Sequence, residues 1–152
     1  MPVEPGKAAL RLVLDTNVVV AGMLRGGPPR RLLELAIDET IDLYSSPVLL
    51  DELAHTLAYA KFARRVQHFG VNAQVLVAQY AALVSLVIPA TVPRVVTHDA
   101  DDDHVIAAAV AARADLIATG DRRHLLPIGS HQGVAIVTAR EAMERAEAGI
   151  KT

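Results

Sequence analysis

Four short apolar runs, Arg11–Asp15, Ile41–Ser45, Ala114–Thr119 and Gly133–Thr138, recur along the chain, each closed by a polar residue and separated by stretches long enough for helices. Strands that are apolar on both faces must be covered on both, and strands alternating with helices are joined by crossovers that leave them parallel. The pattern predicts an α/β fold built on a central, mainly parallel sheet. A weaker run, Leu86–Ile88, stops at Pro89 and is a candidate fifth strand. Helices are predicted over Pro29–Asp38, Pro47–Tyr59, Lys61–Phe69, Ala73–Val84, Asp103–Arg113 and Ala139–Glu147. Two of these carry start signals. Ser46 offers a hydroxyl ahead of Pro47, which tolerates the first helical turn, and Thr138 with Glu141 has the spacing of a capping box.

The 152 residues suit one domain over 1–152, with residues 1–10 and 148–152 expected to be flexible, and can bury a core without disulfides. Hydrophobic residues make up 52% of the chain but aromatic ones only 3%, so the core must be aliphatic. The absence of cysteine excludes disulfides, thiolate metal sites and cysteine nucleophiles, and points to the reducing cytoplasm. No signal peptide is read, because Arg11 interrupts the segment Ala8–Leu14. No membrane span is expected either, since Ala73–Ile88 is broken by Gln79 and falls short of the roughly 20 residues required. A net charge of −2 does not announce a nucleic-acid binder. Yet basic residues trail the acidic motifs: Arg25, Arg30 and Arg31, then Lys61, Arg64 and Arg65, then Arg122 and Arg123.

In open parallel sheets ligands collect at the carboxyl ends of the strands. Asp15 and Asp121 fall at such ends, and Glu52 and Asp103 fall in the first turns of helices that can rise beside them. Each acid has an ordinary reading: Asp15 and Asp121 as helix caps, Glu52 as a solvated acid, the run Asp99, Asp101, Asp102 and Asp103 as groups facing a helix dipole. Their convergence on one sheet edge is what singles them out. On a helical wheel Leu49, Leu50, Leu53 and Leu57 form the buried stripe, with Glu52 at its edge and Asp51 nearly opposite. Four acids in the five residues from Asp99 exceed what one helix end needs, and such crowding is unfavourable unless a cation neutralises it. The wheel does not separate Asp103 from Asp102. Asn17 can hold the Asp15 carboxylate or shape a turn.

Other chemistries find less support. Glu52 and His55 make only half of a di-iron signature, and His98-Asp99 resembles the HD phosphohydrolase dipeptide without the all-helical context. His98, His104 and His124 read as surface or supporting groups. A phosphatase with an Asp nucleophile expects a second Asp where Asn17 stands. No phosphate-binding P-loop, nucleophile elbow or dinucleotide fingerprint is present.

The succession Leu14-Asp15-Thr16-Asn17-Val18, Ser45-Ser46-Pro47 with Glu52, Asp101-Asp102-Asp103-His104-Val105-Ile106-Ala107-Ala108 and Ala114-Asp115-Leu116-Ile117-Ala118-Thr119-Gly120-Asp121 resembles the PIN-domain nucleases. The likeness spans Arg11 to Ala142 and is greatest to the toxins of bacterial toxin–antitoxin systems. It implies a three-layer α/β/α sandwich, with Asp15, Glu52, Asp103 and Asp121 as catalytic metal ligands and Asn17 and Thr119 in support. It also implies single-stranded RNA as substrate and a cognate antitoxin as partner. Carboxylate ligands favour Mg²⁺ or Mn²⁺. Arg30, Arg31, Arg122 and Arg123 are then candidates to grip RNA phosphates. A homo-oligomer is expected. The competing reading is a non-catalytic binding module that uses the acidic pocket as a metal-dependent switch.

Overall fold

The computed structural model describes residues 9–90, 92 and 100–150, with the side chains of Ala100, Asp101 and Ile150 outside the description. His98 and Asp99 of the acidic run therefore lie outside the described residues. Six strands form one sheet: β1 Leu10–Leu14, β2 Ile41–Ser45, β3 Ser85–Leu86, β4 Leu116–Ala118, β5 Ser130–His131 and β6 Val134–Val137. Their order is β3-β2-β1-β4-β6-β5, parallel throughout except for the β5–β6 pair. The helices are α1 Thr16–Leu24, α2 Gly27–Ile37, α3 Pro47–Leu57, α4 Ala60–His68, α5 Ala73–Leu83, α6 Ala100–Ala112 and α7 Ala139–Ile150.

Alternation along the strands divides the core in two. Leu12, Leu14, Leu43, Leu116, Ala118 and Val137 face a layer that contains α1, α2 and α7. Val13, Ile117 and Ile136 face α6 through Val105, Ile106, Ala108 and Ala109. Because successive strand side chains point to opposite faces, the continuous apolar run Leu12-Val13-Leu14 serves both cores at once. The result is the expected three-layer α/β/α sandwich with a mainly parallel sheet.

After β1 the chain moves outward to β2 and β3, and α6 then returns it to β4 on the other side of β1. The carboxyl ends of β1 and β4 thus flank the point where the strand order reverses, which is where open α/β sheets form a crevice. Asp15 and Thr119 are the residues that follow those two strands.

Two elements depart from the sequence reading. Residues Thr16–Leu24 form a helix that was not expected, since three successive valines disfavour one. Thr16, Val18, Val19, Val20, Gly22 and Leu24 are all buried and only Asn17 is exposed, so the stability of α1 comes from packing instead of propensity. Strand β5 was also missed. It is two residues long and pairs with β6 through the tight turn at Gln132 (φ 48°) and Gly133 (φ 83°), both left-handed as such hairpins require. The third strand begins at Ser85 and ends at Leu86, earlier than the expected Leu86–Ile88. At the ends, β1 begins at Leu10 and α7 continues to Ile150, while residues 1–8 and 151–152 lie outside the described residues.

Arginines secure the end of α1. Arg30 donates from Nε to the Gly22 carbonyl at 3.1 Å and from an Nη to that of Met23 at 3.2 Å. Arg65 donates to the Leu24 carbonyl at 3.0 Å. Terminal carbonyls without intrahelical partners, at the negative end of the helix dipole, are thereby satisfied by two cations. At Gly22 the two helices approach so closely that an added Cβ would stand 2.8 Å from Leu33 Cδ1 and 2.9 Å from the Pro29 carbonyl oxygen. The ordinary helix gain of alanine over glycine is about 1 kcal/mol. We expect Gly22→Ala to reverse that sign and destabilise the protein by about 1–3 kcal/mol. Gly149→Ala, where an added Cβ meets nothing within 4 Å, should be neutral or stabilising. Denaturant melts of the two variants check this, and a Gly22→Ala protein as stable as wild type would contradict the close packing.

Candidate metal centre

Asp15 takes the N-cap position of α1, but its side chain makes no capping hydrogen bond. Its carboxylate turns across the sheet seam, where Oδ2 accepts a 2.8 Å hydrogen bond from the Thr119 hydroxyl. The backbone fixes the same seam, since Asp15 N donates to the Ala118 carbonyl at 3.0 Å and Thr119 N to that of Val137 at 3.0 Å. The Thr119 hydroxyl in turn accepts from the Asp121 amide at 3.0 Å. Thr119 is 0% exposed and Asp15 7%, so this chain of hydrogen bonds lies in a low-dielectric setting where each bond is strengthened and hard to replace.

The capping reading of Asp121 holds for one of its oxygens, and the other turns to His124. Oδ1 caps the turn after β4, accepting from the amides of Arg123 at 3.0 Å and His124 at 3.1 Å. Oδ2 faces the imidazole, 3.6 Å from His124 Nδ1. Asp102 completes the group, with Oδ2 3.8 Å from the same nitrogen. One ligand atom from each of Asp102, Asp121 and His124 lies within 4.8 Å of the others. With metal–ligand bonds of about 2.0–2.2 Å, two ligands of one ion stand at most about 4.4 Å apart, and both His124 distances satisfy that bound. The donor set of two carboxylates and an imidazole fits a divalent cation.

Burial acts to raise the Asp121 pKa, but the His124 and Arg123 amides, a hydrogen bond with the Asp102 side chain and the nearby His124 charge outweigh it. The net result lies below the ordinary 3.8. The two carboxyl groups thus share a site in which negative charge is already stabilised by fixed dipoles.

The remaining candidates fall into place around this group. Glu52 on α3 is half-buried and Asp51 is exposed, as the helical wheel anticipates. Helix α3 starts where expected, with the Ser46 hydroxyl accepting from the Leu49 amide at 3.3 Å, and it packs against both α1 and α6. Asp103 is 1% exposed beside Asp102, which is 6% exposed. Of the two, Asp102 is the one grouped with Asp121 and His124. Asn17 is exposed at the start of α1. Arg122 and Arg123 are exposed next to Asp121, whereas Arg30 is engaged with α1 and Arg31 with Glu147 on α7 at 2.8 Å. His124, read from the sequence as a surface or supporting group, stands at the centre of the cluster. The signal was present as Asp121-x-x-His124 in a capped turn, a spacing that returns the imidazole to its own acid.

The PIN-domain family matches residues 11–123 of the chain, from β1 through the turn that holds Asp121. The chain belongs to the PIN-domain family. PIN domains are nuclease domains that use divalent metals, and they are common in toxin–antitoxin systems. An uncharacterised protein of Methanocaldococcus jannaschii is 29% identical over 117 residues, covering 76% of this chain and 74% of its own. No solved structure matches the chain. The match ends one residue before His124, so the imidazole is a feature of this PIN domain that the family comparison does not include.

Two outcomes follow. A carboxylate whose pKa is depressed on folding contributes stability that is complete above its unfolded value and is lost as pH falls through the folded value. Asp121 should therefore steepen acid unfolding below about pH 3.8, and Asp121→Asn should flatten that limb in melts from pH 5 to pH 2. Thr119→Val keeps the shape of the side chain and removes the hydroxyl between two buried groups, for an expected loss of about 1–3 kcal/mol. A Thr119→Val protein with wild-type stability would mean that the bridge has no structural value.

Proposed function

We propose that this PIN domain is a divalent-metal-dependent endoribonuclease that hydrolyses phosphodiester bonds of single-stranded RNA. We propose further that it is the toxin of a toxin–antitoxin pair. The observation that carries the reading is the convergence of Asp102, Asp121 and His124 beside the Asp15–Thr119 bridge at the reversal point of the sheet. Asp102, Asp121 and His124 would hold the ion, with Asp15 and Glu52 adding negative charge at the rim and Asp103 packed beside Asp102. The imidazole in the donor set leans towards Mn²⁺ over Mg²⁺. The chemistry a divalent ion supplies in such a site is activation of water and stabilisation of the charge that develops on the phosphate.

The chain's own groups do the rest. Thr119 orients the Asp15 carboxylate, and the turn amides hold Asp121 so that Oδ2 remains directed at the cluster. His124, with Nδ1 3.6 Å from Asp121 Oδ2 and 3.8 Å from Asp102 Oδ2, is placed to complete the donor set with that ring nitrogen. With 3% aromatic residues, stacking on side chains is a poor means of holding bases, and phosphate contacts suit the exposed Arg122 and Arg123 better. The choice of RNA and the antitoxin partner rest on the family likeness, the cytoplasmic setting rests on the absence of cysteine, and a homo-oligomeric state is proposed with them. Among the described residues no helix is long and apolar enough to cross a membrane.

The test is cleavage of an end-labelled single-stranded RNA with Mn²⁺, Mg²⁺ or EDTA, together with melting curves. Mn²⁺ should raise the melting temperature, because a ligand of the native state stabilises it by mass action. Asp102→Asn and Asp121→Asn should each lower the cleavage rate on the order of 10²-fold or more while the proteins remain folded. Glu52→Gln should also impair cleavage and Asp51→Asn should not. Cleavage that persists in EDTA, or full activity in Asp102→Asn, would refute the assignment. Metal binding without cleavage of any RNA would favour the non-catalytic module.

A further inference from the structure

A second concavity, of about 320 Å³, is lined by Thr119 and Gly120, which follow β4, and by Thr138, which follows β6. Its lining includes the apolar side chains of Val18, Ala21, Pro28, Pro29, Leu126 and Ala139. The rest is polar: Asn17, Thr119, Thr138, Arg122 and Arg140. Its volume is at the small end of the range for ligand pockets. Thr119 belongs to both places, lining this cleft while its hydroxyl holds Asp15.

Some surface arginines are committed to acids and some are not. Arg31 pairs with Glu147 and Glu34, and Arg145 with Glu141. Among the described residues Arg122 and Arg140 make no ion pair and both are exposed. Two guanidinium groups without carboxylate partners, lining a cleft that also offers apolar side chains, suit a phosphate attached to a flat, partly apolar body. We propose that this cleft is the subsite for the nucleotide next to the phosphodiester that is cut. Its phosphate lies on Arg122 and Arg140, its base lies among the apolar lining residues, and Asn17 and Thr138 line the same cleft to bond its polar edges. The proposal rests on the nuclease reading and adds the side from which the strand enters.

Gly120 gives the cleft a handle. Its backbone lies outside the left-handed region, and an added Cβ there meets nothing within 4 Å. A side chain can therefore begin at this position, which lines the cleft, without its Cβ displacing a neighbour.

Binding of a fluorescent single-stranded RNA octamer in EDTA, followed by anisotropy over a range of salt, tests the subsite without metal. Two phosphate contacts to a single strand contribute about 1.4 to the slope of log affinity against log salt. Arg122→Ala with Arg140→Ala should flatten the slope by that amount and weaken binding at least about tenfold at low salt. The double Arg→Lys variant should keep most of the slope. Gly120→Leu should weaken binding while leaving the Mn²⁺-induced rise in melting temperature in place. Arg145→Ala, about 140° round α7 from Arg140, should bind as wild type. Wild-type binding and slope in both the double Ala variant and Gly120→Leu would overturn the subsite, as would a wild-type protein that binds no RNA in EDTA. Cleavage of the same RNA in Mn²⁺ is read separately. Cleavage with arginine-independent binding removes the subsite and leaves the nuclease reading, whereas arginine-dependent binding without cleavage does the reverse.

Discussion

The Thr119 hydroxyl, fully buried between β1 and β4, donates to the Asp15 carboxylate and accepts from the Asp121 amide. One oxygen atom thus sets the relation between two strand ends that are 104 residues apart in sequence. A buried carboxylate is unfavourable unless its charge is compensated, and a hydroxyl, the positive end of α1 and directed backbone amides supply that compensation here. The acids are held by the fold instead of being left to find their own positions. This is the property a metal centre needs, because ligands that are already in place lose little freedom when an ion binds.

The reversal of strand order explains why the centre lies where it does. With β2 on one side of β1 and β4 on the other, the connections leave the seam between β1 and β4 in opposite directions and open a crevice above it. Helix α6 is the connection that returns the chain to β4, and its first turn carries Asp102 and Asp103 back to that crevice. The turn after β4 then brings Asp121 and His124 up to meet them. Arg122 and Arg140 line a cleft that includes Thr119 and Gly120, while Asp102 and Asp121 group with His124.

The basic residues that follow the acidic motifs have divided roles. Arg30 and Arg65 satisfy the final carbonyls of α1, and Arg31 ties α2 to Glu147 on α7. These arginines hold together the helical layer that supports Asp15. A cation placed after an acid in sequence therefore need not face the same ligand, because helix ends compete for guanidinium groups as strongly as phosphates do.

Strand alternation, the cap at Ser46, the placement of Glu52 against Asp51 and the location of Asp15 and Asp121 at strand ends were all legible in the sequence. Each follows from a period or a spacing within a few residues, which local chemistry dictates. Helix α1 was not, because its three valines disfavour a helix and only the burial of most of its residues makes one favourable. Strand β5 was not, because two residues hold no period and their pairing depends on a left-handed turn. The grouping of Asp102 with Asp121 and His124 also belongs to the tertiary structure. Adjacent helical residues differ by about 100° on the wheel, and only the packing of α6 on the sheet decides which of them points at the crevice. The sequence by itself determined which groups stand at the mouths of the strands. The crossing of α6 back to β4, which brings residues near 102 and 121 within ligand distance, decided which of them meet.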